Sequence, residues 1–330
     1  MRILHRTIGG ARLTMLALLI GTSGRSAAAQ WTGGVGLADS LLASGRVASA
    51  ESLYYATSSA RPRDAAARAA LGRYLASRGA LRIGAVLLEE ARLFGGDTAR
   101  IARSLAAIYL SLGDYRSLAT LPASPLSPAE QKRVHWLVGH ASVLEFPDSV
   151  ATLTYGSVMD GSGIGVVSLG IGERRIDALI DSRASGVMIR GRAARRRDGL
   201  RTFGEDAGGV VAVVPELHIG DVTLSNVPAR LAVDSARGAS RSRQLTIIGL
   251  DVLQRLAPTF DPKTQMLTLR RSGQIAPGVS GTRIPMLLDE QGFRVLVEEC
   301  WVRAGSAATA KLLAMRSWTL DVKRGAIVLQ

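Results

Sequence analysis

The stretch richest in chemistry is Ile176–Gly186. The apolar run Ala178-Leu179-Ile180 leads into Asp181, and Ser182, Arg183, Ala184, Ser185 and Gly186 follow. A carboxylate beside a hydroxyl at a strand end suits acid–base work on water. The same pattern also suits a loop whose carboxylate is held by backbone N–H groups and Arg183. Other reactive groups are sparse. His5, His135, His140 and His218 are scattered, and His135 and His140 share a helix without an i, i+4 face. No His, Ser and carboxylate spacing marks a triad or a metal site, so neither metal nor cofactor is expected. Gly161, Gly163 and Gly165 form a glycine-rich segment with no helix after it, which excludes a phosphate loop. Cys300 is the only cysteine. It rules out an intrachain disulfide and a multi-cysteine metal site, and a buried thiol is expected.

The elements that must position Asp181 read as strands. Gly165–Gly172 and Arg175–Asp181 have the pattern of a hairpin, and Val187–Ile189 continues as a strand. Val210–Val214, Leu217–Ile219 and Val222–Leu224 follow, with Gly220-Asp221 as a turn, then Ala229–Val233 and Leu245–Ile248. Short strands at this spacing predict an all-β barrel.

This order, with Asp181-Ser182-Arg183-Ala184-Ser185, resembles the retropepsin-like aspartic peptidases over about residues 150–271. In that family the loop reads Asp-Thr/Ser-Gly-Ala-Ser/Thr, and here Arg183 stands at the Gly position. The resemblance implies that Gly204, Glu205, Asp206, Gly208 and Gly209 form a flap tip. It implies that Ile247-Ile248-Gly249 and a short helix over Leu250–Leu256 follow the flap. It also implies peptide-bond hydrolysis, with Asp181 as catalytic aspartate, Ser182 fixing the loop, and Ala184, Ser185, Gly186 and Gly249 supporting it. That chemistry needs two carboxylates sharing one proton. One lobe supplies one aspartate, so a homodimer through the β lobe would have to bring the second. Arg183 places a cation where it favours an ionised Asp181 and opposes the shared proton. The alternative is a protein that keeps the fold and binds peptide without cutting it.

The chain contains an internal echo. Pro258–Leu269 parallels Trp318–Leu329, and Gly292–Val297 echoes the strand near Gly165. Residues 273–330 therefore read as a degenerate second β lobe after a first lobe at 147–272. Asp289 is wrongly placed for a second catalytic aspartate, and Asp321 matches Asp261, which is not the catalytic position.

Residues 30–146 read as helices. Gly45, Gly79 and Gly113 lie 34 residues apart, each closing an amphipathic helix. This resembles the tetratricopeptide repeat. Second helices are expected at Ala48–Ser58, Ile83–Phe94 and Tyr115–Leu121. Ser127-Pro128-Ala129-Glu130 has a capping-box pattern that opens a last helix to about Val143. Such repeats serve as a peptide-binding groove, or as a structural spacer or oligomerisation surface.

Residues 1–29 read as a secretory signal peptide: a basic start, the apolar run Leu13–Ile20, and Ala27-Ala28-Ala29 at the cleavage positions. The expectation is an exported protein, periplasmic or extracellular, with no stable membrane anchor after cleavage. The net charge of +14 is carried mostly by arginine throughout the chain. No basic run is interleaved with aromatics, so nucleic acid is not an expected partner. Arg190, Arg192, Arg195, Arg196 and Arg197 form one basic cluster, read as a solvated loop.

Overall fold

The computed structural model describes residues 33–156, 164–181, 184, 186–190, 199–232, 245–249, 252, 255–271, 281–289, 292–304 and 306–330. The leader at 1–29, Ser182, Arg183, Ser185, most of the arginine cluster and most of the helix expected at 250–256 lie outside them. The chain is an α + β protein, with helices first and β-sheet after.

Among the described residues, seven helices form the N-terminal part: α1 (Gly34–Ala43), α2 (Val47–Ala60), α3 (Ala65–Ser77), α4 (Leu81–Leu93), α5 (Thr98–Leu112), α6 (Tyr115–Ala119) and α7 (Pro128–Val138). Local chemistry sets their ends. Asp64 accepts from Ala66 N at 2.9 Å, and Asp97 from Arg100 N at 3.1 Å, filling open N–H groups at two N-termini. Gly45, Gly79 and Gly113 have φ of +77°, +85° and +67°, the left-handed region in which a helical hairpin turns at no steric cost with glycine. Ser127 and Glu130 make the expected capping box, but α7 ends at Val138 instead of Val143. Beyond it the chain turns at Gly139-His140 and joins a sheet edge as β1 (Leu144–Glu145), paired with Thr223 and Leu224.

The β part begins with β2 (Val150–Thr154), β3 (Gly165–Ile171), β4 (Arg174–Ile180) and β5 (Val187–Arg190). It continues with β6 (Arg201–Asp206), β7 (Gly209–Ile219), β8 (Val222–Ala232) and β9 (Thr246–Ile248). The order β8-β5-β9-β4-β3-β7 closes through a β7–β8 pairing, giving a six-stranded barrel. The separate short strands expected after Val210 are two long ones. β7 runs through Pro215 and β8 through Pro228, with Asn226 at φ +52° where the inward alternation of β8 slips by one residue. Val210 to Val214 is buried on both faces. Val210, Ala212 and Val214 fill the barrel, and Val213 joins the helical core.

A second sheet holds β10 (Thr259–Asp261), β11 (Met266–Arg270), β12 (Thr282–Asp289), β13 (Gly292–Val297), β14 (Cys300–Arg303), β15 (Trp318–Asp321) and β16 (Ala326–Leu329), with α8 (Ala307–Ala314) between β14 and β15. Its order is β14-β13-β12-β16-β15-β10-β11-β2. The two echoing hairpins, β10–β11 and β15–β16, pair with each other. Thr259 faces Thr319, its counterpart in the echo, and their Oγ1 atoms lie 2.8 Å apart. Equivalent residues meeting across an antiparallel ladder define a local two-fold axis. The flanks obey it as well, because β2 lies outside β11 and β12 outside β16.

The helical hairpins abut this second sheet by their turns. Arg78 donates to the carbonyls of Met286 at 2.6 Å and Gly325 at 2.8 Å. Trp301 Nε1 donates to the Leu42 carbonyl. Cys300, expected to be buried, is exposed, because it opens the edge strand β14 directly after the Glu298-Glu299 turn.

Candidate functional site

Asp181 stands where three strands converge. β9 enters between β4 and β5, parallel to β4 with Ile180 beside Ile248, and antiparallel to β5 with Val187 beside Ile248. The loop from Asp181 to Gly186 thus leaves one side of β9 and returns on the other. Backbone bonds tie it down: Asp181 N donates to Ile248 O at 3.1 Å, and Ala184 N to Asp181 O at 3.1 Å. Gly249 N donates to Gly186 O at 2.7 Å. Asp181 is 9% exposed.

Gly249 is required by this packing. A Cβ there would come within 2.6 Å of the Ala184 carbonyl oxygen and 2.7 Å of that of Gly186, closer than carbon and oxygen can sit. Asp181, Ala184, Gly186 and Gly249 are therefore brought together, although they are up to 68 positions apart in the chain.

The hairpin expected as a flap is formed by β6 and β7, with Asp206 opposite Gly209 at its tip. It is seated on α7. Ser127 Oγ donates to Asp206 Oδ2 at 2.7 Å, and Gly208 N donates to Asp206 Oδ1 at 2.8 Å. Arg230 of β8 bridges Asp206 and Glu130 through its two terminal nitrogens. Glu130 accepts from Ser127 N at 2.9 Å. The capping box of α7 is thus also the dock for the hairpin tip. Phe203 packs against Trp136 at 5.8 Å, and the Arg201 guanidinium lies over the Trp136 ring at 4.7 Å. Glu205 and Gly204 lie on β6, and Gly204 has φ +128° at a shift in the β6–β7 register. The capping-box pattern was visible in the sequence. Its link to Arg230, 100 positions from Glu130, had no local signal.

Hydrogen bonds from Arg230, and after it from Ser127 and Gly208 N, hold the Asp206 carboxyl well below the usual carboxylate range. The folded pKa is depressed, so the stability it contributes is present above the unfolded value near 3.9 and is lost as pH falls below it. Asp206→Asn should cost about 1.5–3 kcal/mol at neutral pH, by analogy with other hydrogen bonds to charged groups. It should also flatten the fall in stability between about pH 4 and pH 2. Urea unfolding of both proteins across that range checks this. An unchanged slope means that the dock does not depend on this charge.

No described acidic residue of the C-terminal segment belongs to the Asp181 loop. Asp289 is paired with Arg294 at 3.2 Å and Arg303 at 3.6 Å. Asp321 accepts from Arg324 N and its guanidinium, each at 3.3 Å. Glu298 and Glu299 form the β13–β14 turn against Gly45. Among the described residues the outer side of β10 is occupied by β15 of the same chain, and the sheet ends on β14 and β2. Among the described residues no three His, Cys, Asp or Glu side chains group to hold a metal, and no helix is long and apolar enough to cross a membrane.

Comparison with known proteins gives little more. No protein-family model matches the chain, and no curated protein matches it. Among the solved structures that match, the crystal structure of a retropepsin-like aspartic protease from Rickettsia conorii is similar over 38% of this chain and 96% of that chain. The identity is 16% and the TM-score 0.28. A likeness at that score carries no argument about activity.

Proposed function

We propose that this protein is a retropepsin-like lobe that has closed on its own C-terminal segment, and that it holds peptide without cutting it. The pairing of β10 with β15 carries this reading. The echo segment takes the place that a partner lobe would need, and its described residues supply no carboxylate loop opposite Asp181. A water shared between two carboxylates then has only one of them. Asp181 becomes a buried loop carboxylate at a strand junction, with Arg183 beside it in sequence. The peptidase reading, with Asp181 and Ser182 as catalytic residues, draws its support from the strand order and from Gly249 beneath the loop.

The N-terminal hairpins belong to this proposal as tetratricopeptide-like repeats, supported by the 34-residue spacing and the left-handed φ at all three turn glycines. Export by a cleaved leader at 1–29 is also proposed, on the sequence pattern alone.

The deciding experiment incubates the protein with a mixed peptide library at pH 3 to 7 and reads cleavage by mass spectrometry, beside Asp181→Asn. The expected result is no cleavage that Asp181→Asn or pepstatin removes. Cleavage abolished by both would establish an aspartic peptidase and end the non-cutting reading.

A further inference from the structure

A cavity of about 600 Å³ lies between the inner helices α1, α3 and α5 and the strands β12 to β14. That volume suits a small organic ligand. Its walls are apolar over much of their extent, with Leu42 and Ile108 from the helices and Leu287 from β12. The charges that face it are Asp39 and Arg73 from the helices, and Asp289, Arg294 and Arg303 from the sheet.

These charges do not balance. Asp289 is occupied by Arg294 and Arg303. Asp39 accepts the Tyr54 hydroxyl. Arg73 makes no ion pair among the described residues, and Arg100 adds a second positive charge near it. Burial and Arg100 both disfavour the Arg73 cation, while Asp39 offsets them only in part. The lining thus holds three arginines, Arg73, Arg294 and Arg303, against two aspartates, Asp39 and Asp289, and a half-buried guanidinium on an apolar-walled cavity with that excess of positive charge favours an anionic group in it.

We infer that this cavity binds a carboxylate carried on an apolar body, with Arg73 taking the carboxylate and the Leu42, Ile108 and Leu287 walls taking the body. The site needs both the helical and the second β part, so neither alone would hold the ligand. The inference rests on the reading of the helical hairpins as a binding element and not on what Asp181 does. Two sources share this chemistry, a peptide C-terminus and a short acyl chain.

Titration calorimetry on the full chain would use N-acetyl-leucyl-leucine, its C-terminal amide, and octanoate. At least one of the two carboxylates should bind, and whichever binds names the source. The amide should bind at least about tenfold more weakly than the acid if the peptide is the source. Arg73→Met should weaken the bound carboxylate by a similar factor with an unchanged melting temperature. Ile108→Trp, which narrows the cavity without touching Arg73, should weaken it as well and covers the case in which Arg73→Met misfolds. Absence of binding by both carboxylates at millimolar concentration would overturn the inference. Equal binding of acid and amide, or binding indifferent to both substitutions, would overturn it too. The readout is binding and not cleavage, so the outcome is independent of the Asp181→Asn experiment.

Discussion

Trp318→Ala should destabilise the protein by about 3–5 kcal/mol, the usual cost of emptying a buried aromatic site. Trp318 is 2% exposed and lies on β15, directly opposite Phe260 of β10, which is fully buried. The two rings stack at 4.3 Å with an interplanar angle of 20°, and Tyr155 meets Phe260 edge-on at 5.7 Å. This stack lies one residue from the Thr259–Thr319 pair that marks the local two-fold axis between the echoing hairpins. It belongs to the same core as the barrel, which holds Leu169 and Ile180. The loss should therefore appear in the unfolding of the whole β part. A double-mutant cycle with Phe260→Leu and Trp318→Leu should give a coupling of about 0.5–1.5 kcal/mol. A cost below about 1 kcal/mol for Trp318→Ala would mean that the C-terminal segment is an appendage, and the proposal that it replaces a partner lobe would fail with it.

The three repeat glycines should respond unequally to alanine, with Gly79 the most sensitive. All three have positive φ, so each alanine incurs backbone strain of about 1–2 kcal/mol. At Gly113 no atom lies within 4 Å of an added Cβ, and strain is the whole cost. At Gly45 the Cβ would meet the Glu299 carbonyl oxygen at 2.6 Å. At Gly79 it would meet the Val322 carbonyl oxygen at 1.7 Å, which no side-chain adjustment relieves because the obstacle is backbone. Forcing the helices off the sheet there adds an overpacking cost of about 1–3 kcal/mol and strains the Arg78 bonds to Met286 and Gly325. The expected order of loss in chemical denaturation is Gly113 smallest, Gly45 intermediate and Gly79 largest, at about 3 kcal/mol or more. Equal losses at the three positions would show that the turns do not bear on the second sheet in solution.

Much of this architecture was legible because it is local. The capping box at Ser127, the turns at Gly45, Gly79 and Gly113, and the β3–β4 hairpin leading to Asp181 are each decided within a few residues by backbone sterics and N–H satisfaction. The length of α7 was misjudged, because the apolar residues after Val138 serve a sheet edge and not a helix face. The exposure of Cys300 was missed, because an edge strand and an inner strand can carry the same residues. The continuous burial of Val210–Val214 was visible as an apolar run, but not the reason for it, which is a helical layer behind the barrel.

The amino-acid sequence by itself determined the order of elements, the single aspartate loop and the existence of an echo. Those follow from periodicity, turn chemistry and residue identity, which act over short spans. Only the tertiary structure decided that the echo pairs with its original at Thr259 and Thr319, and that the β6–β7 tip is docked on the capping box through Arg230. It alone also decided that Arg73 lines a cavity together with residues of β12, β13 and β14. Each of those is a meeting of groups 60 or more residues apart, and no local preference encodes which distant backbone will arrive at a given edge. Burial of the Phe260–Trp318 stack and closure of the free β10 edge provide the driving force, and they exist only once both segments are in place.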